Sequence, residues 1–192
     1  MDSSNFSPQE SLALISQVIE DAKNRFAEDG KLYILWGGLI AVIAFTQFGL
    51  LVYEQYEINY YPYFVIPFAG IFSWLYYRKK APKGNNKISQ AIGLMWMVIS
   101  GNAMIIGFFL PGVLGDKLVP IILILVGMGT LISGIMIRSQ VVMVAGFLQN
   151  VTGFVCFQFD WLYHPLILGI SSLFFTLIPG LILMNRYQKE HV

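Results

Sequence analysis

Charged residues are scarce in this chain of 192 residues, where Asp, Glu, Lys and Arg together make up 12%, against roughly a quarter in soluble domains. Apolar residues make up 56%, and the mean hydropathy is +0.65. This composition excludes an ordinary water-soluble fold and predicts a polytopic membrane protein whose first partner is the lipid bilayer. The net charge of +1 gives no broad basic surface, so we expect no nucleic-acid partner.

Cysteine is nearly absent too, because Cys156 is the only one and it lies inside an apolar run. A lone thiol excludes an intrachain disulfide and any Cys-x-x-Cys motif. The chain also lacks His-x-x-Glu-His, Gly-x-Ser-x-Gly and a Ser-x-x-Lys with a base, and the segment Gly127-Met128-Gly129 lacks the strand and Lys-Ser/Thr pair of a phosphate loop. We therefore expect no cofactor, no metal and no enzymatic activity.

Long apolar runs fill most of the chain from residue 32 onward. Each is close to the ~20 residues that a hydrocarbon core of ~30 Å requires, and aromatic residues such as Trp36, Tyr53 and Trp74 mark their ends. The sequence predicts an all-α fold, a bundle of about six transmembrane helices. The predicted spans are 32–53, 62–77, 88–110, 120–138, 141–159 and 166–184, within a membrane domain of residues 31–185 followed by a cytoplasmic tail of residues 186–192.

Positive residues set the predicted orientation of the bundle. The densest group lies between the second and third spans and consists of Arg78, Lys79, Lys80, Lys83 and Lys87. Short loops rich in Lys and Arg stay on the cytoplasmic side. With six spans, Lys117 alone among the 12 cations falls on the other side. The charge pattern therefore favours an even number of spans with both termini in the cytoplasm.

No Lys, Arg, Asp or Glu falls at mid-depth in any predicted span, which disfavours carboxylate-driven proton transport. The polar residues predicted near the midplane are the amides Asn102, Gln149 and Asn150. One interpretation is that they form hydrogen bonds between helices and hold the bundle together. The alternative is that they line a cavity, as in a transporter or channel for a neutral or weakly polar small solute.

The first 30 residues are predicted to form a cytoplasmic helical arm, with Ser7-Pro8-Gln9-Glu10 as a capping box at its start and Gly30 at its end. No basic region precedes it, so we expect no cleaved secretory signal. Its apolar stripe consists of Leu12, Ile15, Ile19, Ala22 and Phe26. Acidic residues outnumber basic ones in the arm, unlike in a helix that lies on lipid. The stripe is therefore predicted to face protein: a second copy, a cytoplasmic partner, or the rest of this chain.

The predicted outer face carries a small group of ionisable residues: Glu54, Glu57, Asp116, Asp160 and His164. Asp160 and His164 are four residues apart, so one helical turn would place them on the same face, as a metal or proton site requires. The interpretation we favour is simpler. Asp160 caps a short helix, and His164 is solvated at the headgroups.

Six spans permit an internal repeat, either two inverted halves or three successive hairpins. Alignment of Trp36-Gly37-Gly38 with Met95-Trp96-Met97 or with Val144-Ala145-Gly146 matches only residue types that are common in membrane helices. The sequence alone therefore supports no repeat.

The arm with Ala22-Lys23-Asn24, followed by Gly30 and by Tyr33, Trp36 and Gly37, resembles a group of uncharacterised small multi-pass bacterial inner-membrane proteins. The resemblance covers about the first 40 residues and implies a location in the bacterial inner membrane. The hypothesis from the residues is a non-enzymatic regulatory or assembly subunit that engages a partner or a second copy through its N-terminal helix.

Overall fold

The computed structural model describes residue 12, residues 30–80 and residues 87–190, and the regular structure in these parts of the chain is helical throughout. Four helical stretches are long and apolar enough to cross a membrane: Lys31–Val52, Gln90–Phe109, Pro111–Met136 and Trp161–Lys189. They mark the chain as a membrane protein. Leu12 of the predicted apolar stripe is exposed. The rest of that stripe, the capping box and Lys83 lie outside the described residues.

Eight α-helices, together with short 3-10 and π turns, make up the described chain. They are α1 (Lys31–Val52), a 3-10 turn (Tyr61–Val65), α2 (Ile66–Lys80), α3 (Lys87–Phe109), α4 (Pro111–Leu114), a 3-10 turn (Gly115–Lys117), α5 (Leu118–Met136), α6 (Gln140–Cys156), a 3-10 turn (Trp161–Tyr163), α7 (His164–Ser172), a π turn (Leu173–Leu177) and α8 (Ile178–Glu190). All-helical structure is confirmed for this part of the chain. The connection between the predicted spans 88–110 and 120–138 is largely helical.

The core of the bundle is formed mainly by α1, α5, α6, α7 and α8, with Ile92 of α3, and it contains two apolar clusters. One consists of Tyr33, Ile92, Ile137, Val142 and Leu183, and the other of Ala44, Leu123, Cys156 and Leu168. The helices α2 and α3 lie at the periphery. Among the described side chains of α3, Ile92 and Ile99 are buried, and many of the others are exposed. The described bundle thus has a packed core and a peripheral edge that is more exposed. Polar residues that could form a site occur in both.

Two helices end at residues other than glycine that adopt a positive φ, with Glu54 at 57° and Arg138 at 55°. In each case the next N–H bonds back to the carbonyl five residues earlier, from Gln55 to Leu50 at 2.8 Å and from Ser139 to Gly134 at 2.9 Å. This Schellman pattern pairs carbonyls that a helix end would otherwise leave open. It ends α1 and α5 sharply.

The last span is a continuous helix whose middle widens into the π turn Leu173–Leu177. Pro179 follows and has no N–H, so the preceding turn loses one helical hydrogen bond and widens to make room for the ring. The sequence predicts a kink at Pro179, and the structure places this wider turn just before it. The turn also brings its backbone against α1, because a Cβ on Gly37 would lie 2.5 Å from the Leu177 nitrogen.

Candidate functional site

The helices α5 and α6 approach each other closely through glycines on both sides of their contact. The glycines and the residues that they face are Gly127 with Asn150, Gly134 with Met143, Gly146 with Leu131, and Gly153 with Ile124. A Cβ on any of the four would lie within 2.8 Å of the facing residue's backbone nitrogen. Such close backbone contact is typical of small residues in membrane helix pairs. We call this contact the glycine seam.

Two of the predicted midplane amides lie in the glycine seam. Gln149 is 2% exposed, and its Oε1 lies 3.4 Å from the Thr130 hydroxyl, whose single proton is shared with the Val126 carbonyl at 2.9 Å. The Asn150 Nδ2 donates to the Ile124 carbonyl across the seam at 3.0 Å. Interhelical hydrogen bonds of this kind contribute about 0.6 to 2 kcal/mol each in a membrane. Both side chains therefore connect α6 to α5.

Asn102 lies elsewhere. Its side chain is exposed on α3, and its Nδ2 donates to the Val98 carbonyl of the same helix at 2.8 Å. The structure thus brings Gln149 and Asn150 together at the seam and does not bring Asn102 to them.

A second polar network holds the connection between α1 and α2 against α1. The Tyr63 hydroxyl donates to Gln47 Oε1 at 2.7 Å, and Gln47 Nε2 donates to Asn59 Oδ1 at 3.1 Å. The Asn59 Nδ2 in turn donates to the Tyr56 carbonyl. Gln47 and Asn59 are both buried. Sequence reasoning missed this network, although Gln47 is a conspicuous polar residue near the end of an apolar helix.

His164 lies at the end of the bundle where α7 begins and is 4% exposed. Its Nδ1 is 2.8 Å from the carbonyl oxygen of Asp116, and its Nε2 is 3.0 Å from that of Phe159. The prediction that His164 is solvated is therefore wrong, because the connection before α5 covers the ring. The Asp160 carboxylate accepts from the Leu162 N–H at 3.0 Å, which confirms its role as a cap. Within the described residues, no group of three His, Cys, Asp or Glu could hold a metal ion.

At the opposite end, two tryptophans connect neighbouring helices. The Trp36 indole donates to the Ser73 hydroxyl at 3.0 Å, and the Trp96 indole donates to the Ser133 hydroxyl at 2.9 Å. The predicted topology residues flank this end: Arg78, Lys79 and Lys80 close α2, and Lys87 opens α3. The Arg78 guanidinium lies 4.7 Å from the centre of the Trp74 ring, a cation–π distance.

The buried polar side chains of the described bundle bond mainly to other groups of the chain, while the hydroxyls of Ser139 and Ser171 lack a partner. Compared with known proteins, the chain matches no family model, no curated protein and no solved structure. Function is therefore inferred from the geometry.

Proposed function

We propose that this protein is a non-enzymatic regulatory or assembly subunit of the bacterial inner membrane, which engages a partner protein or a second copy of itself. The observation that carries the proposal is the bonding of Gln149 and Asn150 within the glycine seam. Side chains that bond to a facing helix at backbone contact distance stabilise the bundle and leave no room between α5 and α6 for a solute. The alternative, a path for a small solute lined by three amides, draws no support from Asn102 on the far side of α3.

The peripheral helix α3 supports a role in binding other helices. Its outward face exposes Leu94, Met97, Val98 and Ile105, and a Cβ on Gly101 would meet nothing within 4 Å. An apolar face with a small residue in its middle suits close approach by another membrane helix. The acidic N-terminal arm, with Leu12 exposed, would supply a second contact in the cytoplasm.

The proposed topology has six spans with both termini in the cytoplasm. Two helical segments would supplement the four long ones: Tyr61–Lys80, which combines a 3-10 turn with α2, and Gln140–Cys156. Gln140–Cys156 (α6) is short at 17 residues. The face of α6 that points into the bundle is covered by α5 at the glycine seam. This arrangement keeps Arg78 and Arg138 on one side, as the positive-inside rule requires.

The experiment compares charges placed on the two faces of the N-terminal arm of the full-length protein. Ile15→Glu with Ile19→Glu puts two carboxylates on the apolar stripe, whereas Gln17→Glu with Asn24→Glu puts the same charge on the polar face. Native mass spectrometry and crosslinking in membranes report oligomeric state and co-purifying proteins. We expect the first pair to abolish the complex and the second to preserve it.

Unchanged complexes in the first pair, and in a deletion of residues 1–29, would overturn the proposal. Topology is measured separately. A tag after Val192 and a labelled cysteine at Asn85 should both be inaccessible from outside intact cells, and external labelling of either would exclude the proposed orientation.

A further inference from the structure

We propose that His164 is a proton-binding latch, which joins the outer ends of α5, α6 and α7 when its imidazole ring carries two protons. This inference goes beyond the proposed function and depends only on the geometry at the outer end of the bundle.

The first step concerns the two ring nitrogens. Both lie at hydrogen-bond distance from main-chain carbonyl oxygens, at 2.8 Å and 3.0 Å. A carbonyl oxygen only accepts, and a neutral imidazole has a single N–H. In the neutral ring, one nitrogen would therefore present its lone pair to an oxygen lone pair. The imidazolium ring donates to both, so the observed position is the one that suits the protonated ring.

The second step concerns the Asp116 carbonyl, which lies in the turn before α5. In a helix this oxygen would accept from the N–H four residues on, but that residue is Pro120, which has no N–H. Pro120 is itself buried, so water has poor access to this side of the turn. The Nδ1 of His164 lies at hydrogen-bond distance from this oxygen, in place of the N–H that Pro120 lacks.

The third step concerns the Phe159 carbonyl, just after α6. Two of the nearby N–H groups are engaged elsewhere, because Leu162 donates to the Asp160 carboxylate and Tyr163 donates to the Asp160 carbonyl, both at 3.0 Å. The Nε2 of His164 supplies its donor. Two acceptors on different elements thus bond to one ring, and that ring belongs to the first residue of α7.

The fourth step concerns nearby charges. The titratable side chains on the elements that meet at the ring are Asp116 and Lys117 before α5, Asp160 after α6, Tyr163 beside the ring, and Tyr53, Glu54 and Tyr56 at the end of α1. Within the described residues, the ring bonds to none of these side chains, and both of its nitrogens face main-chain oxygens. Protonation is therefore linked directly to the two latch bonds.

A direction follows from this chemistry. Histidine is the side chain whose charge ordinarily changes between pH 5 and pH 8. Binding one proton forms the second latch bond, and releasing it removes that bond and sets two lone pairs against each other. Acid should tighten the outer end of the bundle, and mild alkali should loosen it. A hydrogen bond from a charged donor is strong enough to change an opening equilibrium by roughly tenfold.

The test uses full-length protein in nanodiscs, in a Cys156→Ala background. Spin labels at Lys117→Cys and Gln158→Cys, both exposed positions, report the distance between the turn before α5 and the end of α6. We expect a narrow distance distribution at pH 5 and a broad one at pH 8.5, with the open population rising about tenfold. His164→Gln, which stays neutral at every pH, should give the same distribution at both values.

The matched control is His191→Gln, because His191 is the other of the two histidines in the chain. That variant should keep the full pH response. A wild-type distribution that is independent of pH, or a pH response that survives His164→Gln, would overturn the latch.

A direct measurement covers the case in which His164→Gln does not fold. In the His191→Gln protein, ¹⁵N-labelled histidine reports the His164 ring alone by NMR. Two protonated nitrogens at pH 5, with one proton lost by pH 8.5, are expected. A ring that remains neutral at pH 5 would contradict the proposal.

Discussion

The helix pair α1–α2 and the helix pair α3–α5 contain the same polar contact at the same spacing. In each, a tryptophan on the first helix donates to a serine 37 residues later on the second. Trp96, Ser133 and Arg138 each follow Trp36, Ser73 and Arg78 by 60 residues. The structure thus brings out a periodicity between two hairpins that alignment around the tryptophans does not show. The shared element is a tie between helices toward the open end of each hairpin, away from the turn that connects its two helices.

The surroundings of the two ties differ. The difference shows which residue beside the serine allows a hairpin to pack into the core. Ser133 is 1% exposed, whereas Ser73 is only half-buried. One residue beyond each serine, α5 has Gly134 against α6 and α2 has Trp74, which is 49% exposed. A glycine at this position admits a neighbouring backbone, and a tryptophan excludes it. The same polar contact therefore ends on a fully buried serine in one hairpin and on a half-buried serine in the other.

The largest predicted effect comes from filling the seam. Gly134→Ala would place a methyl group 2.4 Å from the Met143 nitrogen, so α5 and α6 must separate. Overpacking of this kind typically costs about 1–3 kcal/mol, and we expect the upper part of that range because the facing atoms are backbone. Thermal unfolding in detergent, followed by intrinsic tryptophan fluorescence, measures the loss. Gly70→Ala on α2 is the matched control, because its Cβ would meet nothing within 4 Å.

We expect Gly70→Ala to be neutral or slightly stabilising, since alanine favours helix more than glycine by about 1 kcal/mol. Equal losses at the two positions would show that the hairpins do not differ in packing as described.

An intermediate effect is expected from removing the serine hydroxyls. Ser133→Ala removes the partner of the half-buried Trp96 indole at a position that is itself 1% exposed, so the cost should lie toward the ~1–3 kcal/mol of an unsatisfied buried donor. Ser73→Ala leaves the Trp36 N–H at a half-buried site, where the cost should approach the ~0.5–1.5 kcal/mol of an ordinary hydrogen bond. Thermal unfolding of the two variants measures the difference.

Pairing each serine variant with Trp36→Phe or Trp96→Phe gives a double-mutant cycle that isolates the tie itself. A larger coupling at Ser73 than at Ser133 would reverse the comparison between the hairpins.

The sequence predicts the local features of this fold well and the long-range ones poorly. Apolar run length and helix ends depend on neighbouring residues, and so does the cap at Asp160, so these features can be predicted from the sequence alone. The tie from Trp96 to Ser133 depends on how two helices are rotated against each other, which residue types do not specify. The contact between Gly134 and α6 also depends on how two helices are rotated against each other.

The burial of His164 could not be predicted for a related reason. Its Nδ1 partner lies 48 residues away, and that carbonyl needs a side-chain donor because of Pro120. Of the three midplane amides, Gln149 and Asn150 take the interhelical role that the sequence offers as one of two interpretations, whereas Asn102 takes neither. A polar residue in an apolar run indicates that its side chain needs a hydrogen-bond partner. The sequence does not identify which group that partner is.

The last prediction tests the two arginines that occupy matching positions, because replacing alanine by glycine should change stability with opposite sign at each. Arg138 has φ at 55°, a left-handed conformation that costs a residue with a side chain about 1–2 kcal/mol and glycine little. Arg78 lies within helical α2, where glycine is less stable than alanine by about 0.5–1 kcal/mol. Comparing the glycine and alanine variants at each site removes the effect of the lost charge.

Arg138→Gly should therefore unfold at a higher temperature than Arg138→Ala, whereas Arg78→Gly should unfold at a lower temperature than Arg78→Ala. Arg138→Asn provides a further control, because asparagine also tolerates the left-handed conformation and should behave more like glycine than like alanine. If glycine lowers stability at both positions, then α5 does not end at Arg138 in the bilayer. The second hairpin would then continue as a helix at the point where the first one does, and the sharp turn that brings α6 back against α5 would have to lie elsewhere.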